Sequence, residues 1–319
     1  MKQLGLFTGG FSEERVVALK SATWLRSHIA PQNFALHVID VQKNGWTDEQ
    51  GNAFDLNTGA LMIDGQAVKI DAALVIIHGS PAEDGLIQGY FDMMDIPYSC
   101  CSAFVSALTF DKQATKNHLR PYQVPMAKSL LIRQGDSLNK DEVYALGLPL
   151  FVKPNKHGSS FGITKVKHWD DFANALNFAF EFDKEVVVES FINGREFSSG
   201  VIEMDREVIA LPLTEIKSHN EFFDYAAKYE QQSDEITPAE LPESLSEQCR
   251  SLSERIYRIL NCKGMVRFDY ILEENTFYFL EANTIPGLSP TSILPQQLEA
   301  QGIEAADFVR ALIESTLTP

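Results

Sequence analysis

The sequence has no long hydrophobic run, few basic residues and no signal-peptide pattern, and each shortage argues against a class of function. Its 319 residues include 27 Lys and Arg against 44 Asp and Glu, which gives a net charge of −17. That balance disfavours nucleic acids and anionic membranes as partners. No apolar run approaches the length of a membrane span, and the run Leu4–Phe7 is soon followed by a glycine pair. We therefore expect a cytoplasmic protein with no nucleic-acid or membrane partner.

Cysteine is also scarce, and the common nucleotide and hydrolase signatures are missing. The four cysteines, at positions 100, 101, 249 and 262, do not have the spacing of metal ligands, which predicts reduced thiols. The sequence contains no GxxxxGK[ST], GxGxxG, HExxH or GxSxG motif. These absences set aside P-loop enzymes, dinucleotide-binding domains, zinc peptidases and serine hydrolases of the usual kinds. The length exceeds what one hydrophobic core usually organises, so two or three packed domains are expected.

What is present is most informative near the end of the chain. Two runs rich in aromatic and β-branched residues, Val266–Leu272 and Phe277–Leu280, flank a short polar break. This pattern predicts an antiparallel hairpin. The segment Thr284–Gly287 that follows has turn chemistry, which would end the second strand and leave backbone N–H groups free.

The polar residues of this hairpin predict a metal site. A loop with an odd number of residues, such as Glu274–Thr276, would set Asp269 opposite Glu281 and Arg267 opposite Asn283. Two opposed carboxylates repel each other, and a hard divalent cation such as Mg²⁺ would remove that penalty. An ordinary hairpin with a solvated polar face fits the same pattern, so the residues alone leave both interpretations open.

The start of the chain predicts an open α/β domain. Strand 1–7, a glycine turn and helix 13–27 follow one another, with Ser12 as the expected N-cap. Glu14 could contact a substrate amine or be an ordinary first-turn acid. His78 begins a polar loop after another predicted strand, and such loops at the carboxyl ends of buried strands are where open α/β sheets bind ligands.

The middle of the chain carries lysines and a loop of small residues. Lys112 and Lys116 lie one turn apart on a predicted helix, where they form either a solvated basic patch or an anion site. The loop 154–162 is flanked by Lys153 and Lys165. Small residues let backbone N–H groups approach an anion, so this loop predicts phosphate binding or, alternatively, a flexible hairpin.

A predicted buried strand, Val186–Glu189, ends on an acid and continues into Phe191 and Ile192. These residues offer the apolar walls and polar edge that a flat heteroaromatic base needs, with Glu196 available for a ribose hydroxyl. A hinge between domains would explain the pattern without a ligand. The polar and aromatic segment 219–232 is predicted to form a lid.

Taken together, these segments resemble the D-alanine–D-alanine ligases of the ATP-grasp superfamily over essentially the whole chain. In family order they are GGFSEERVVALKSA, HGSPAEDG, DKQATK, FVKPNKHGSSFGITKV, VVVESFINGREFSSGV, FDYAAKY, RFDYIL and FYFLEANTIPGLSPTSILP. The last is the most specific. Two residues depart from the family pattern: Ala82 replaces a usual glycine, and Phe268 fills a slot that is more often aliphatic.

The resemblance implies a three-domain ATP-grasp architecture of mixed α/β and α+β class. The first domain, 1–97, would be an open, Rossmann-like α/β domain (the preATP-grasp domain) that binds substrate. The segments 98–188 and 189–319 would be the central and C-terminal ATP-grasp subdomains, with ATP held between them. A homodimer is the family expectation.

The resemblance also assigns roles to residues. Mg²⁺, or Mn²⁺ in its place, would be bound by Asp269, Glu281 and Asn283. The ATP phosphates would contact Lys112, Lys153 and Lys228, and adenosine would contact Glu189, Phe191, Ile192 and Glu196. The predicted catalytic residues are Glu14, Ser159 and Tyr229 around the amines, and Arg267 with a backbone N–H near Gly287 around the oxyanion. His78 and Ser292 are the predicted substrate-binding residues.

The implied reaction is ATP-dependent joining of two D-alanines through an acyl phosphate, for peptidoglycan precursor synthesis. A related ligase that uses D-lactate or D-serine as second substrate is the alternative, and Tyr229 favours the dipeptide. A nucleotide-binding protein without turnover is a further alternative, against which the retention of every predicted metal, lysine and oxyanion position argues.

Overall fold

A computed structural model describes residues 1–29, 34–158, 161–218 and 233–318. Its strands are β1 (Lys2–Gly9), β2 (Phe34–Gln42), β3 (Gly45–Asp48), β4 (Phe54–Asp55), β5 (Ala60–Ile63), β6 (Gln66–Lys69), β7 (Ala72–Val75), β8 (Ser129–Arg133), β9 (Leu150–Pro154), β10 (Thr164–Val166), β11 (Glu185–Ser190), β12 (Arg195–Met204), β13 (Glu207–Ala210), β14 (Thr214–Ser218), β15 (Ser233–Ile236), β16 (Met265–Glu273) and β17 (Thr276–Asn283). The helices are α1 (Arg15–Ser27), α2 (Leu86–Met93), α3 (Ala103–Phe110), α4 (Lys112–Leu119), α5 (Lys140–Tyr144), α6 (Trp169–Phe180), α7 (Glu243–Leu260), α8 (Ile293–Gln301) and α9 (Ala305–Leu317).

The first sheet confirms the predicted open α/β start. Its order is β3-β2-β1-β7, with β1 parallel to both neighbours and β3 antiparallel at the edge. Leu4, Leu6 and Phe7 are all buried, as expected of a central parallel strand that is covered on both faces. Because β1 and β7 are parallel, the glycine turn after β1 and the loop at His78 lie at the same edge of the sheet.

The second sheet is antiparallel, in the order β10-β9-β11-β8, and its two faces have different roles. Val152 and Val188 point toward α6 and form a hydrophobic cluster with Phe172. Since side chains alternate along a strand, Lys153 on β9 and Glu189 on β11 share the opposite face. That face carries the charged residues described below.

The third sheet has the order β15-β14-β12-β16-β17, with β13 paired to β12. Helix α7 covers one face of it, because Cys249, Ile256 and Leu260 recur at helical spacing and are buried. The opposite face of β16 carries Arg267 and Asp269. This opposite face is polar at Arg267 and Asp269 and packs against the C-terminal helices at Ile202 and Met265.

The C-terminal helices pack into the same hydrophobic cluster as the first sheet. Phe308 and Leu312 of α9 share this cluster with Leu74 and Ile76 from the end of β7. The last helices of the chain thus hold the first and third sheets together. None of the helices in the described part of the chain combines the length and the hydrophobicity that a membrane span requires.

One predicted capping residue and two predicted segment boundaries differ from the structure. Ser12 does not cap α1, because its hydroxyl donates to the His78 carbonyl at 2.9 Å, and the N-cap position is Glu14. The sequence pattern of 145–153 predicts a single strand, but the strand begins only at Leu150, after a turn that follows α5. The helical periodicity of 296–317 predicts a helical end to the chain, and this segment is divided into two helices at Gly302, whose φ of +76° ends α8.

Candidate active site

The cavity that collects the predicted residues has a volume of about 1320 Å³ and is lined by residues of the second and third sheets, of α1 and of the loop after β7. Every predicted site residue that the structure describes lines it: Glu14, His78, Lys112, Lys153, Glu189, Phe191, Ile192, Glu196, Arg267, Asp269, Glu281, Asn283, Gly287 and Ser292. Ser159, Lys228 and Tyr229, together with the predicted lid, lie outside the described residues. A second groove of about 1230 Å³ beside Tyr98 and Lys263 contains none of the predicted residues, so the chemistry is sought in the first cavity.

The hairpin of β16 and β17 has the predicted register. Asp269 pairs with Glu281, and Arg267 pairs with Asn283. The predicted reason for this register is wrong, however, because Glu273 pairs with Thr276 and leaves a loop of only two residues.

The odd residue lies within β17 as a bulge. Tyr270 pairs with Phe279 and Asp269 with Glu281, so Leu280 has no partner across the hairpin. Phe279 is in the core, and if residues 279–281 formed a regular strand without a bulge, alternation would turn Glu281 to that same side. The bulge is therefore what brings Glu281 into the cavity, beside Leu280.

Asp269 and Arg267 form a buried, two-pronged ion pair. The distances are 2.9 Å from Arg267 Nε to Asp269 Oδ1 and 2.8 Å from Nη2 to Oδ2. Ser198 Oγ on β12 donates to Asp269 Oδ1 at 2.5 Å. Burial opposes the charge of Arg267, but Asp269 outweighs it and raises the arginine pKa further. The carboxylate is thus held rigidly at the floor of the cavity.

The donor set of this hairpin fits a hard divalent cation. The donors are the carboxylates of Asp269 and Glu281 and the side-chain amide of Asn283. Among the described residues, no group of three or more His, Cys, Asp and Glu side chains could hold a metal. Asp269 Oδ2 accepts only from Arg267, through Nη2 at 2.8 Å and through Nε at 3.3 Å. Asn283 Oδ1 accepts the Ile285 N–H at 3.0 Å, which orients the amide. Lys112 Nζ lies 3.6 Å from Glu281 Oε2.

A second group of charged side chains lies on the face of the second sheet that is opposite α6. Glu189 Oε2 is 2.7 Å from Lys153 Nζ, and Lys116 Nζ contacts Glu189 Oε1. Burial would raise the pKa of Glu189, but the two ammonium groups outweigh it and lower that pKa to about 2. The carboxylate is therefore ionised at every physiological pH.

Lys116 corrects one expectation from the sequence. A solvated basic patch of Lys112 and Lys116 was one of the two interpretations, yet Lys116 is only 2 % exposed. Lys112 alone lines the cavity and donates to the His157 carbonyl at 2.8 Å. Sequence analysis could not place Lys116 inside, because its neighbours on α4 are polar.

Ser198 is a residue that the sequence analysis missed. It is fully buried and holds Asp269, as described above. The signal that could have found it is the alternation of β12, in which Glu196 and Ser198 share one face. Ser is otherwise too common in strands to draw attention.

The aromatic wall of the cavity is built around Phe191. Phe151 lies 6.0 Å from it, centroid to centroid, and Lys165 Nζ sits 3.9 Å from the centre of the Phe191 ring. A cation at that distance is attracted to the ring face. Ile192 and Glu196 follow along the same wall, which gives the cavity an apolar surface with a charged rim.

Glu14 and His78, which follow β1 and β7 of the first sheet, also line the cavity. A Cβ atom added to Gly158 would lie 3.3 Å from Glu14 Oε2, so this carboxylate approaches the small-residue loop closely. Ser12 holds the His78 backbone, and Glu83 Oε2 accepts the Gly79 N–H at 3.1 Å. Ala82, the departure from the family pattern, is buried and has a negative φ, so alanine is accommodated there without backbone strain.

The N-terminus of α8 also lines the cavity. Ser292 is its N-cap residue, and its hydroxyl accepts the Ser289 N–H at 3.1 Å. A Cβ atom on Gly287 would lie 2.8 Å from Ser292 Oγ, so only glycine lets the two segments come this close. A helix N-terminus with a hydroxyl beside it favours an anion such as a carboxylate.

Comparison with known proteins identifies relatives of the whole chain. The family models described as D-ala D-ala ligase N-terminus and C-terminus match residues 3–101 and 119–314. A D-alanine–D-alanine ligase of Phocaeicola vulgatus is 41 % identical over 98 % of this chain and 99 % of its own. The D-Ala:D-Ser ligase VanG of Enterococcus faecalis superposes with a TM-score of 0.89 at 28 % identity, covering 98 % of both chains. The ATP complex of a Bacillus anthracis D-alanine–D-alanine ligase superposes with a TM-score of 0.83 at 28 % identity, over 100 % of this chain and 98 % of that one.

Proposed function

The chain belongs to the D-alanine–D-alanine ligase family, whose members are ATP-dependent ligases, and we propose that the cavity described above is where it joins two D-alanines. The product, D-alanyl-D-alanine, is a peptidoglycan precursor. The observation that carries the assignment of the site is the convergence of every described predicted residue on one cavity, around the opposed carboxylates of Asp269 and Glu281.

The reaction has two steps. The carboxylate of the first D-alanine attacks the γ-phosphorus of ATP, which gives an acyl phosphate and ADP. The amine of the second D-alanine then attacks the acyl carbon and loses a proton, and the tetrahedral intermediate expels phosphate to give the dipeptide. Phosphoryl transfer depends mostly on positioning and on positive charge near the transferred group. The cavity supplies that charge from Lys112, Lys153 and Arg267.

Mg²⁺, or Mn²⁺ in its place, is the cation that the hairpin would hold. Asp269, Glu281 and Asn283 provide its oxygen ligands, and nucleotide phosphates would complete the set. When bound, the ion neutralises the charge that develops during phosphoryl transfer. Arg267 grips Asp269 in the structure, so its guanidinium lies beside the site where the acyl oxygen would become an oxyanion. A backbone N–H near Gly287 is the proposed second donor to this oxyanion.

The nucleotide is proposed to lie along the second sheet. Its phosphates would contact Lys112 and Lys153, and Lys228 is the third proposed contact. The adenosine would lie against Phe191 and Ile192. The Glu189 carboxylate would accept from the base, and Glu196 would reach a ribose hydroxyl. The apolar wall with a few polar groups is what a flat base requires.

The amino acids are proposed to lie between the first domain and α8. Glu14, with Ser159 and Tyr229, would anchor the first amine and help deprotonate the second. His78 would complete the first pocket. Ser292, at the N-terminus of α8, would bind the carboxylate of the second D-alanine, in keeping with the anion preference of that helix end.

A homodimer in the cytoplasm, where ATP is plentiful, completes the proposal. The exposed face of α2 carries Leu86 and Met93, which are 64 % and 74 % exposed, and Phe104 at the start of α3 is 69 % exposed. The two helix starts are adjacent, since a Cβ atom on Gly85 would lie 2.3 Å from the Ala103 carbonyl. Sedimentation at the mass of one 35.7 kDa chain would contradict the dimer.

Release of ADP in the presence of different amino acids tests the function. We expect turnover with D-alanine alone, none with L-alanine, and no preference for D-serine or D-lactate over a second D-alanine near neutral pH. The similarity to a D-Ala:D-Ser ligase makes D-serine the second candidate substrate. A preference for D-serine or D-lactate in the second position would overturn the choice of D-alanine, and absence of ADP release with every amino acid would overturn the ligase.

A further inference from the structure

Lys116 is a buried ammonium group that the reaction as described above does not use. It lies on α4, one turn after Lys112, and is 2 % exposed. It does not line the cavity, although Lys112, Lys153 and Glu189 do. Its ionic partner among the described residues is Glu189 Oε1, on the side of the carboxylate that faces away from Lys153.

The backbone fixes Lys116 in this position. The first turn of α4 is attached to the end of β9 through Asn155, whose carbonyl accepts the Lys112 N–H at 3.2 Å and whose Oδ1 accepts the Gln113 N–H at 3.0 Å. Asn155 is fully buried. Lys116 is one turn further along α4 and is thereby held over the face of the sheet that carries Glu189.

The side chains of Lys153 and Lys116 differ in their freedom to move away from Glu189. In the register of β9 and β11, Val187 lies opposite Lys153 and Phe151 lies opposite Glu189, so Lys153 and Glu189 are diagonal neighbours on one face. Lys153 can turn from Glu189 into the cavity, which it already lines. Lys116 has no such alternative, because it is enclosed.

A carboxylate in this position needs a permanent counter-charge. If Lys153 contacts nucleotide phosphates, as proposed above, it must loosen its 2.7 Å contact with Glu189. Without another cation Glu189 would then be buried and unpaired, which is strongly unfavourable. Lys116 removes that penalty, since its contact with the other oxygen does not depend on the nucleotide.

We propose that Lys116 is a positioning residue for ATP binding: it acts through Glu189, holding this carboxylate fixed and compensated so that Lys153 is available to the nucleotide phosphates. The inference rests on the proposed roles of Lys153 and Glu189. It predicts a defect that is specific to ATP, because neither D-alanine pocket contains Lys116.

Steady-state kinetics of Lys116→Met and Lys116→Arg test this role. Removing the charge at similar size should raise the KM for ATP at least about tenfold, as loss of a charge-assisted contact does. The KM for D-alanine and kcat should stay within about threefold of the wild type. Lys116→Arg keeps the charge and should recover most of the ATP affinity. Lys140→Met, at an exposed position of α5, is the matched control and should behave as the wild type.

A double-mutant cycle separates action through Glu189 from a general structural effect. Glu189→Gln combined with Lys116→Met should have the same KM for ATP as Glu189→Gln alone, because the partner of Lys116 is already gone. Additive losses would overturn the proposal, and so would a Lys116→Met enzyme with an unchanged KM for ATP. If Lys116→Met does not fold, Lys116→Arg decides: a KM for ATP more than about tenfold above wild type contradicts the role of the charge. Wild-type protein without ATP turnover would contradict the proposed function itself, which is a different result.

Discussion

The proposed role of Arg267 depends on the planar, forked shape of its guanidinium group. Its guanidinium makes two parallel contacts to Asp269 and lines the cavity where the acyl oxygen is proposed to lie. A lysine in its place would keep the positive charge but could not reproduce the fork. Arg267 is therefore expected to be the least replaceable cation of the site.

The change Arg267→Lys should lower kcat by about 10²–10³-fold, since removal of one oxyanion donor typically has this effect. The KM for ATP should change little, because Arg267 is not one of the proposed nucleotide contacts. Steady-state ADP release measures both constants. Arg258→Lys, on the exposed side of α7, is the matched control. A kcat within about tenfold of the wild type would show that Arg267 does not stabilise the oxyanion.

A single residue, Glu189, also makes the free energy of unfolding depend on pH. Its native pKa of about 2 is below the ordinary value of 4.5, so the stabilisation is present above pH 4.5 and is lost as the pH falls toward 2. As the pH falls from about 6 to about 3, this group should lower the free energy of unfolding of the wild type by roughly 2 kcal/mol. Urea unfolding of wild type and Glu189→Gln across this range measures the difference. Parallel stability curves for the two proteins would rule out the lowered pKa.

The residues differ in how far the sequence could predict them. The positions of Asp269, Glu281 and Asn283 in the hairpin were predictable, because any odd number of inserted residues gives the same pairing. Lys116 was not, since helical spacing gives a shared face with Lys112 but does not reveal that Glu189, on a strand far along the chain, lies opposite. Whether a charged side chain is buried depends on the partner that it meets in the fold. The local sequence around the charged residue does not reveal that partner.

The hairpin is the element on which the proposed metal site depends. Its register was predicted correctly with the wrong loop, since an odd loop and a two-residue loop with a bulge give the same pairing of Asp269 with Glu281. Sequence pattern fixes only the parity of the inserted residues, not where they lie. The bulge at Leu280 also keeps Phe277 and Phe279 in the core while Glu281 faces the cavity.

Deletion of Leu280 should leave both ligands in place. Glu281 would then follow Phe279 directly, so strand alternation would set it on the cavity face opposite Asp269, with Asn283 still opposite Arg267. Activity should stay within about tenfold of the wild type, whereas Glu281→Ala, which removes the carboxylate, should lower it at least about a thousandfold. ADP release, with circular dichroism to verify folding, makes the comparison. A folded deletion variant as inactive as Glu281→Ala would mean that the bulge itself positions these ligands.

At the scale of the whole molecule, the site lies where the second and third sheets meet α1 and the loop after β7, and the C-terminal helices hold the first and third sheets together. Phe308 and Leu312 pack into the core of the first sheet although they are at the other end of the chain. The helical periodicity of 296–317 predicts that this terminal segment is helical, but periodicity does not reveal which surface a helix covers. The domain boundaries near 97 and 188 stay predictions, since packing crosses between the sheets.

The central claim, that the hairpin binds a divalent cation and the cavity couples ATP to peptide-bond formation, is tested by counting products in one reaction. ADP and D-alanyl-D-alanine are measured by mass spectrometry after incubation with ATP, D-alanine and Mg²⁺, for the wild type and for Asp269→Asn. We predict one dipeptide for each ADP in the wild type, and loss of both products when a chelator is added or Asp269 is changed. ADP released without dipeptide, or equal amounts of both products in the presence of the chelator, would contradict the account.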